Sequence, residues 1–250
     1  MSNNVDEMTE RMLDDAGIGP DMRVLDIGCG PGAVSLMLSR RVGNHGHVFA
    51  VDHNPQLLEA AREKAREAGV SNITLIEGGF DVAFPERGAL DAVVGRRVLM
   101  YQPDAAQAVA QLADAICTGG VIAFHEHDTV AISDGRTSLP LHDRARAWLR
   151  EMLRLEGANL HMGFELHAAL SAAGLAVERV RAEANVLTPS AAYPVAAILR
   201  AVLPRLLKHG IATEADVDVE TLDDRLAAER RETGATCLWE MVFCGWARKQ

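Results

Sequence analysis

The residues best placed to do chemistry begin with the run Val24-Leu25-Asp26-Ile27-Gly28-Cys29-Gly30-Pro31-Gly32, an apolar strand that ends in a glycine-rich turn. Glycines there accept backbone angles closed to other residues and let a ligand approach the main chain. A second carboxylate, Asp52, closes the next apolar run, where it can accept two hydrogen bonds from a ribose diol. This combination suits a dinucleotide or an adenosyl ligand, and the spacing separates the two. GxGxG in place of GxGxxG leaves no third glycine where a pyrophosphate-binding helix needs one. Asp26 would repel a pyrophosphate, but it suits the ammonium and sulfonium of S-adenosylmethionine. A turn that is glycine-rich only for tightness accounts poorly for both acids together.

A second constellation is Phe124-His125-Glu126-His127-Asp128. In an extended strand His125 and His127 point to one side and Glu126 to the other. Histidine suits proton removal at neutral pH, so these three are the candidate catalytic residues: a base with its orienting carboxylate. Two alternatives stand beside this. The side chains could hold a metal, which is not assigned here, or they could cap the strand and bond to neighbouring helices. Arg96 is a candidate for binding a carboxylate of the cofactor or of an acidic substrate, because its planar fork matches that group. Arg97 fits a surface ion pair equally well. Met100 and Tyr101 could line an acceptor pocket or belong to the core. His161, His167 and Trp148 carry little weight, and the charge run from Asp216 to Glu232 reads as the solvated face of a helix.

Elements that could position these residues follow from the alternation of short apolar runs and helical patterns, the form of a doubly wound α/β sheet. After a helix over Val5–Ala16, strands are expected at Arg23–Ile27, His47–Asp52, Ile73–Ile76, Leu90–Val94 and Gly120 to about His125. Helices are expected from Gly32 to Arg41, from the Asn54-Pro55 cap to Gly69, and over Asp104–Ile116. Further on, helices at Leu141–Leu155 and Phe164–Ala173 precede a strand at Ala176–Arg181. Two more, at Ser190–Leu207 and Val219–Glu232, precede a last strand at Cys237–Ala247. The expectation is one domain over 1–250, with helical lid insertions at about 129–163 and 184–234 near the carboxyl edge of the sheet, where ligands bind.

Composition narrows the partners. A formal net charge of -10 opposes a nucleic-acid backbone or an anionic membrane surface. Cys29, Cys117, Cys237 and Cys244 form no CxxC pair, which speaks against zinc and against a disulfide framework. With no signal peptide and no apolar run of membrane length, a cytoplasmic protein acting on a small molecule is expected. A homodimer is compatible with this reading.

Taken in succession, VLDIGCGPG, FAVDHNPQLLEAARE, LDAVVGRRVLMYQPD and GGVIAFHEHD resemble the motifs of class I S-adenosylmethionine-dependent methyltransferases, most closely a bacterial small-molecule branch. The resemblance spans nearly the whole chain. It implies a seven-stranded Rossmann-like sheet with an antiparallel last strand, S-adenosylmethionine as donor and S-adenosylhomocysteine as product. It also implies that Gly28, Cys29 and Gly30 line the methionine and ribose portions, that Asp52 holds the ribose hydroxyls and that His53 flanks adenine. The chain departs from the pattern after strand three. Many relatives carry Gly-Asp there; Gly79 takes the Asp position here, leaving Phe80 to pack on adenine and Asp81 to compensate or to face solvent. The acceptor, and the choice of oxygen, nitrogen or carbon, stay open. Two other readings remain. One is a cofactor-binding enzyme that catalyses a rearrangement or cyclisation without methyl transfer; the other is a nicotinamide-dependent oxidoreductase, which the glycine spacing and Asp26 oppose.

Overall fold

The computed structural model describes residues 4–82, 88–128, 137–191 and 195–250. The chain enters through α1 (Asn4–Asp15) and continues as β1 (Arg23–Ile27), α2 (Ala33–Val42), β2 (His47–Asp52), α3 (Pro55–Glu67) and β3 (Ile73–Glu77). Next come β4 (Leu90–Arg96), a single 3-10 turn (Leu99–Tyr101), α4 (Ala105–Ala113) and β5 (Ile116–Asp128). The remainder is α5 (Pro140–Leu155), α6 (Met162–Ala172), β6 (Ala176–Leu187), α7 (Val195–Lys208), α8 (Glu214–Val217), α9 (Leu222–Thr233) and β7 (Cys237–Arg248).

The sheet has seven strands in the order β3-β2-β1-β4-β5-β7-β6. Pairing is parallel from β3 through β5, with Ile27 opposite Val51 and Gly95, and Arg96 opposite His125. β7 runs the other way: the Gly119 N–H donates to the Lys249 carbonyl and the Lys249 N–H to Gly120, so the start of β5 lies beside the end of β7. The strand order reverses at β1 and β4, and at such a point the two following turns diverge and leave a crevice.

β1 and β2 occur at the expected bounds. β5 does not: it begins at Ile116, inside the expected helix, with an irregularity in its pairing between Leu90 and Ala92. β6 continues past Arg181 to Leu187, because Arg-Ala-Glu-Ala-Asn-Val is too polar to read as a strand yet serves at the sheet's edge. The first expected insertion includes residues 129–136, and the expected helix from Ser190 includes 192–194; both stretches lie outside the described residues.

The chain divides into two compact units. The first comprises Met1–Glu126, Met162–Glu183 and Phe243–Gln250. Its core is the sheet's own apolar side chains, among them Leu25, Val48, Val93, Ile122 and Phe124, all fully buried. α1 buries Val5, Met8 and Met12, an i, i+3, i+7 stripe that gives a short helix one apolar face, and Ala16 just beyond its end is buried too. α3 starts where Asn54 accepts the Gln56 and Leu57 amides, followed by proline at the first helical position. The second unit comprises His127–His161 and Ala184–Val242. There α5, α7 and α9 pack on one another around buried Trp148, Met152, Leu199 and Leu226. The expected solvated face over 216–232 is corrected at Arg230, which is buried. Its guanidinium donates to the carbonyls of Thr188 and Ala191 and to His142 Nε2, while His142 Nδ1 lies 2.7 Å from Glu229. Arg230 can only donate, so His142 is neutral with its proton on Nδ1.

Among the described residues no helix is long and apolar enough to cross a membrane. The glycine turn after β1 is demanding. Gly28 has φ +66° and a Cβ there would clash with Val98 Cγ1, whereas Gly30 has φ +53° and faces open space. Gly30→Ala is therefore expected to cost about 1–2 kcal/mol from the left-handed backbone alone. Gly28→Ala adds a clash and should cost clearly more; equilibrium denaturation of the two variants checks the order.

Candidate active site

A cavity of about 600 Å³ opens where the chain leaves β1, β2 and β4, within the first unit. That volume falls in the range of small-molecule sites. Its floor is the glycine turn, with Gly28 and Gly30 both lining it. Asp52 ties this turn to the next one: Oδ2 accepts the Gly30 N–H at 2.8 Å and Oδ1 the Asn54 N–H at 2.9 Å. The carboxylate is 6% exposed and borders the cavity. Each oxygen accepts one amide and keeps lone-pair capacity for a ligand hydroxyl.

Toward β3 the wall is made by His53, Leu57, Gly79, Phe80 and Asp81. His53 is exposed at the rim, with Nδ1 3.8 Å from Asp52 Oδ1. The Gly79 carbonyl accepts the Val82 N–H, and this turn brings Asp81 Oδ1 within 3.3 Å of the place a Gly79 Cβ would take.

Toward β4 the wall is Arg96, Arg97, Val98, Tyr101 and Gln102, with Gln111 of α4. Arg96 Nη1 donates to Asp6 Oδ1 at 2.7 Å and to Thr9 Oγ1 at 3.2 Å, both on α1. Arg97 has φ +58°, and its N–H donates to the His125 carbonyl as β4 ends. Tyr101 is 47% exposed, while Met100 is fully buried and belongs to the core. Sequence reasoning did not single out Leu57, Gln102 or Gln111. A residue of a helix or turn gives no periodic signal that it faces a ligand.

Two expected cofactor residues turn their side chains elsewhere. Asp26 is buried under the turn and accepts from Ser35 Oγ of α2 at 2.5 Å; it is not among the residues lining the cavity. Burial raises its carboxyl to about 7, against the opposing hydrogen bond from Ser35. Cys29 packs with Ala50 and Leu58, and burial pushes its thiol up to about 12. Its contribution to the turn is its backbone, whose N–H donates to the Val51 carbonyl.

The candidate catalytic group is not assembled as expected. Among the described residues His125, Glu126 and His127 do not line this cavity. His125 is fully buried, with Nδ1 3.0 Å from Thr9 Oγ1. Glu126 points the other way, as strand alternation requires, and Oε1 accepts the Val98 and Leu99 amides at 2.9 and 2.8 Å. It orients no histidine; it satisfies the amides that open the 3-10 turn, and burial raises its carboxyl to about 7. His127 lies in the second unit, with Nδ1 3.6 Å from Glu240 Oε2, and Asp128 there meets His161 Nδ1 at 3.1 Å. His167 is exposed on α6.

Asp26 makes folding pH-dependent. The folded chain keeps a proton up to about pH 7 that the unfolded chain releases near 4, so stability falls as pH rises through this window. Asp26→Asn should gain on the wild type between pH 5 and 8, on the order of 2 kcal/mol in urea unfolding at the two pH values. Glu126 titrates in the same range and keeps its own share in both proteins.

Residues 18–185 match the family model described as a methyltransferase domain. Over 118 residues the chain is 39% identical to aklanonic acid methyltransferase DauC of Streptomyces sp. (strain C5), covering 47% of this chain and 53% of that one. The chain spans about half the length of the curated relatives it matches. Among solved structures it is similar to geranyl diphosphate C-methyltransferase of Streptomyces coelicolor A3(2), with TM-score 0.60 and 17% identity, covering 98% of this chain and 79% of that one. It is equally similar to the 4+2 cyclase SpnF, with TM-score 0.59 and 16% identity, covering 98% and 81%. At these identities the likeness is one of fold and does not choose the reaction. The family match covers well over half of the chain, and the protein belongs to the methyltransferase-domain family.

Proposed function

We propose that the cavity takes S-adenosylmethionine and that the chain transfers its methyl group to a small organic acceptor. The observation that carries this is Asp52: a buried carboxylate fixed by the Gly30 and Asn54 amides at one cavity edge. Arg96 borders the same cavity. A ribose diol is recognised by the first and an amino-acid carboxylate by the second. Leu57 and Phe80 offer apolar surface for a purine, and Gly30, with no atom near its absent Cβ, lets the ligand approach the main chain. This donor set fits an adenosyl amino acid. A dinucleotide fits less well, because the Gly32 N–H at the head of α2 is already given to the Cys29 carbonyl and is not free for a pyrophosphate.

When bound, the cofactor supplies an electrophilic methyl on a sulfonium, open to in-line displacement. The chain's part is to align the reactants and exclude water. Asp52 fixes the ribose, Arg96 holds the carboxylate end, and Gly28 and Gly30 set the floor. Tyr101, Gln102 and Gln111 stand at the wall toward β4 and are the candidates for reading the acceptor. The burial of His125 and Glu126 supports positioning roles for both; no acid–base step is assigned to them. Aklanonic acid, named for one relative, makes an organic acid a first acceptor class to screen. The reading includes a cytoplasmic setting, where four free thiols remain reduced.

Calorimetric titration of S-adenosylmethionine and S-adenosylhomocysteine tests the cofactor. Micromolar binding is expected in the wild type, weaker by at least about tenfold in Asp52→Ala, which loses charged hydrogen bonds to two hydroxyls. No binding of either ligand to the wild type would overturn the proposal. Appearance of S-adenosylhomocysteine with an acceptor separates methyl transfer from retention of the cofactor for a rearrangement.

A further inference from the structure

Thr9 lies on α1, outside the cavity, and its side chain is fully buried. Its hydroxyl meets three groups: the Val5 carbonyl at 3.0 Å, Arg96 Nη1 at 3.2 Å and His125 Nδ1 at 3.0 Å. A hydroxyl has one proton and two acceptor positions. The proton is given to Val5, one helical turn back, and Arg96 can only donate. His125 must therefore also donate, and its Nδ1 carries a proton. One oxygen thus anchors two neighbouring strand ends. Arg96 and His125 are register partners in β4 and β5, so their side chains leave the sheet on the same face, toward α1.

Asp6, one turn before Thr9, takes the same Nη1 of Arg96. Both contacts from α1 use that single nitrogen, which leaves Nη2 and Nε of a cavity-lining guanidinium for a ligand. We propose that Thr9 is a positioning residue: with Asp6 it fixes the rotation of the Arg96 guanidinium so that its other N–H groups meet a ligand carboxylate, and His125 serves as the donor that completes the Thr9 oxygen. This rests on the cofactor reading above for the identity of the carboxylate. Thr9→Val keeps the shape and removes both acceptor positions; Thr9→Ser keeps them.

The test compares two ligands that share the adenosyl group, S-adenosylhomocysteine with its amino-acid carboxylate and 5′-methylthioadenosine without one, by calorimetry. In Thr9→Val, S-adenosylhomocysteine should bind about tenfold more weakly while methylthioadenosine binds as to the wild type, and Thr9→Ser should restore the first ligand. Nitrogen-15 spectra should show His125 protonated at Nδ1 in the wild type and in Thr9→Ser, with that preference lost in Thr9→Val. Equal weakening of both ligands in Thr9→Val would make Thr9 a structural residue only and overturn the proposal, as would an unchanged S-adenosylhomocysteine affinity. Failure of both ligands to bind the wild type would instead overturn the cofactor reading, and this inference with it.

Discussion

The carboxylate of Asp52 receives the Gly30 amide from the turn after β1 and the Asn54 amide from the turn after β2. The crevice opens between β1 and β4, where the strand order reverses, and the turns after β1 and β2 form one side of it, with no fixed shape of their own. Here two amides directed at one anion give them a shape. The anion is nearly dry, so the bonds are strong and the geometry is narrow. The rest of the first unit can be understood as support for that arrangement. Cys29 pairs with Val51 to hold the turns in register, Asn54 caps α3 directly after its amide has been used, and Leu58 of α3 closes over Cys29.

Beyond that side the supports are acidic groups buried beneath backbone. Glu126 accepts two amides from the chain leaving β4, and Val98, which owns one of them, presses its methyl against Gly28. The floor and the far wall of the cavity are thus joined through a single side chain. Asp26 does the same for α2 through Ser35. Neither acid reaches the cavity. Their hydrogen bonds to Ser35 and to the Val98 and Leu99 amides mark them as parts of the frame, even though an acid in a glycine motif and an acid between two histidines both look like chemistry.

Much of this frame was readable in the residues. The strand ends at Asp52 and Ile27 and the cap at Asn54 follow from apolar runs, glycines and a proline, which act locally. The direction of side chains at the end of β5 was not. Alternation correctly separates Glu126 from its histidine neighbours, but what awaits each face is decided by residues far away in the sequence: Thr9 for His125, the amides of Val98 and Leu99 for Glu126, Glu240 for His127. The same limit explains Arg230, a charge in a run of charges that is buried because two carbonyls and a histidine lie in front of it. Contacts across 27 to 116 positions leave no trace in local pattern, and polar residues suffer from this more than apolar ones, since a buried leucine needs only any apolar neighbour.

The contact between Val98 and Gly28 also bears on how this scaffold can be redesigned. Any side chain at position 28 would displace Val98, which would draw Val98's amide away from Glu126 and loosen the 3-10 turn that carries Tyr101. These three positions therefore form one unit of inheritance, in which a change at one is tolerated only with changes at the others. Tyr101 and Gln102 sit on that turn and Gln111 on the helix beyond it, and their side chains are outside this interlocked set. A library built to alter acceptor choice gains most diversity, for least damage to the frame, by randomising those three together.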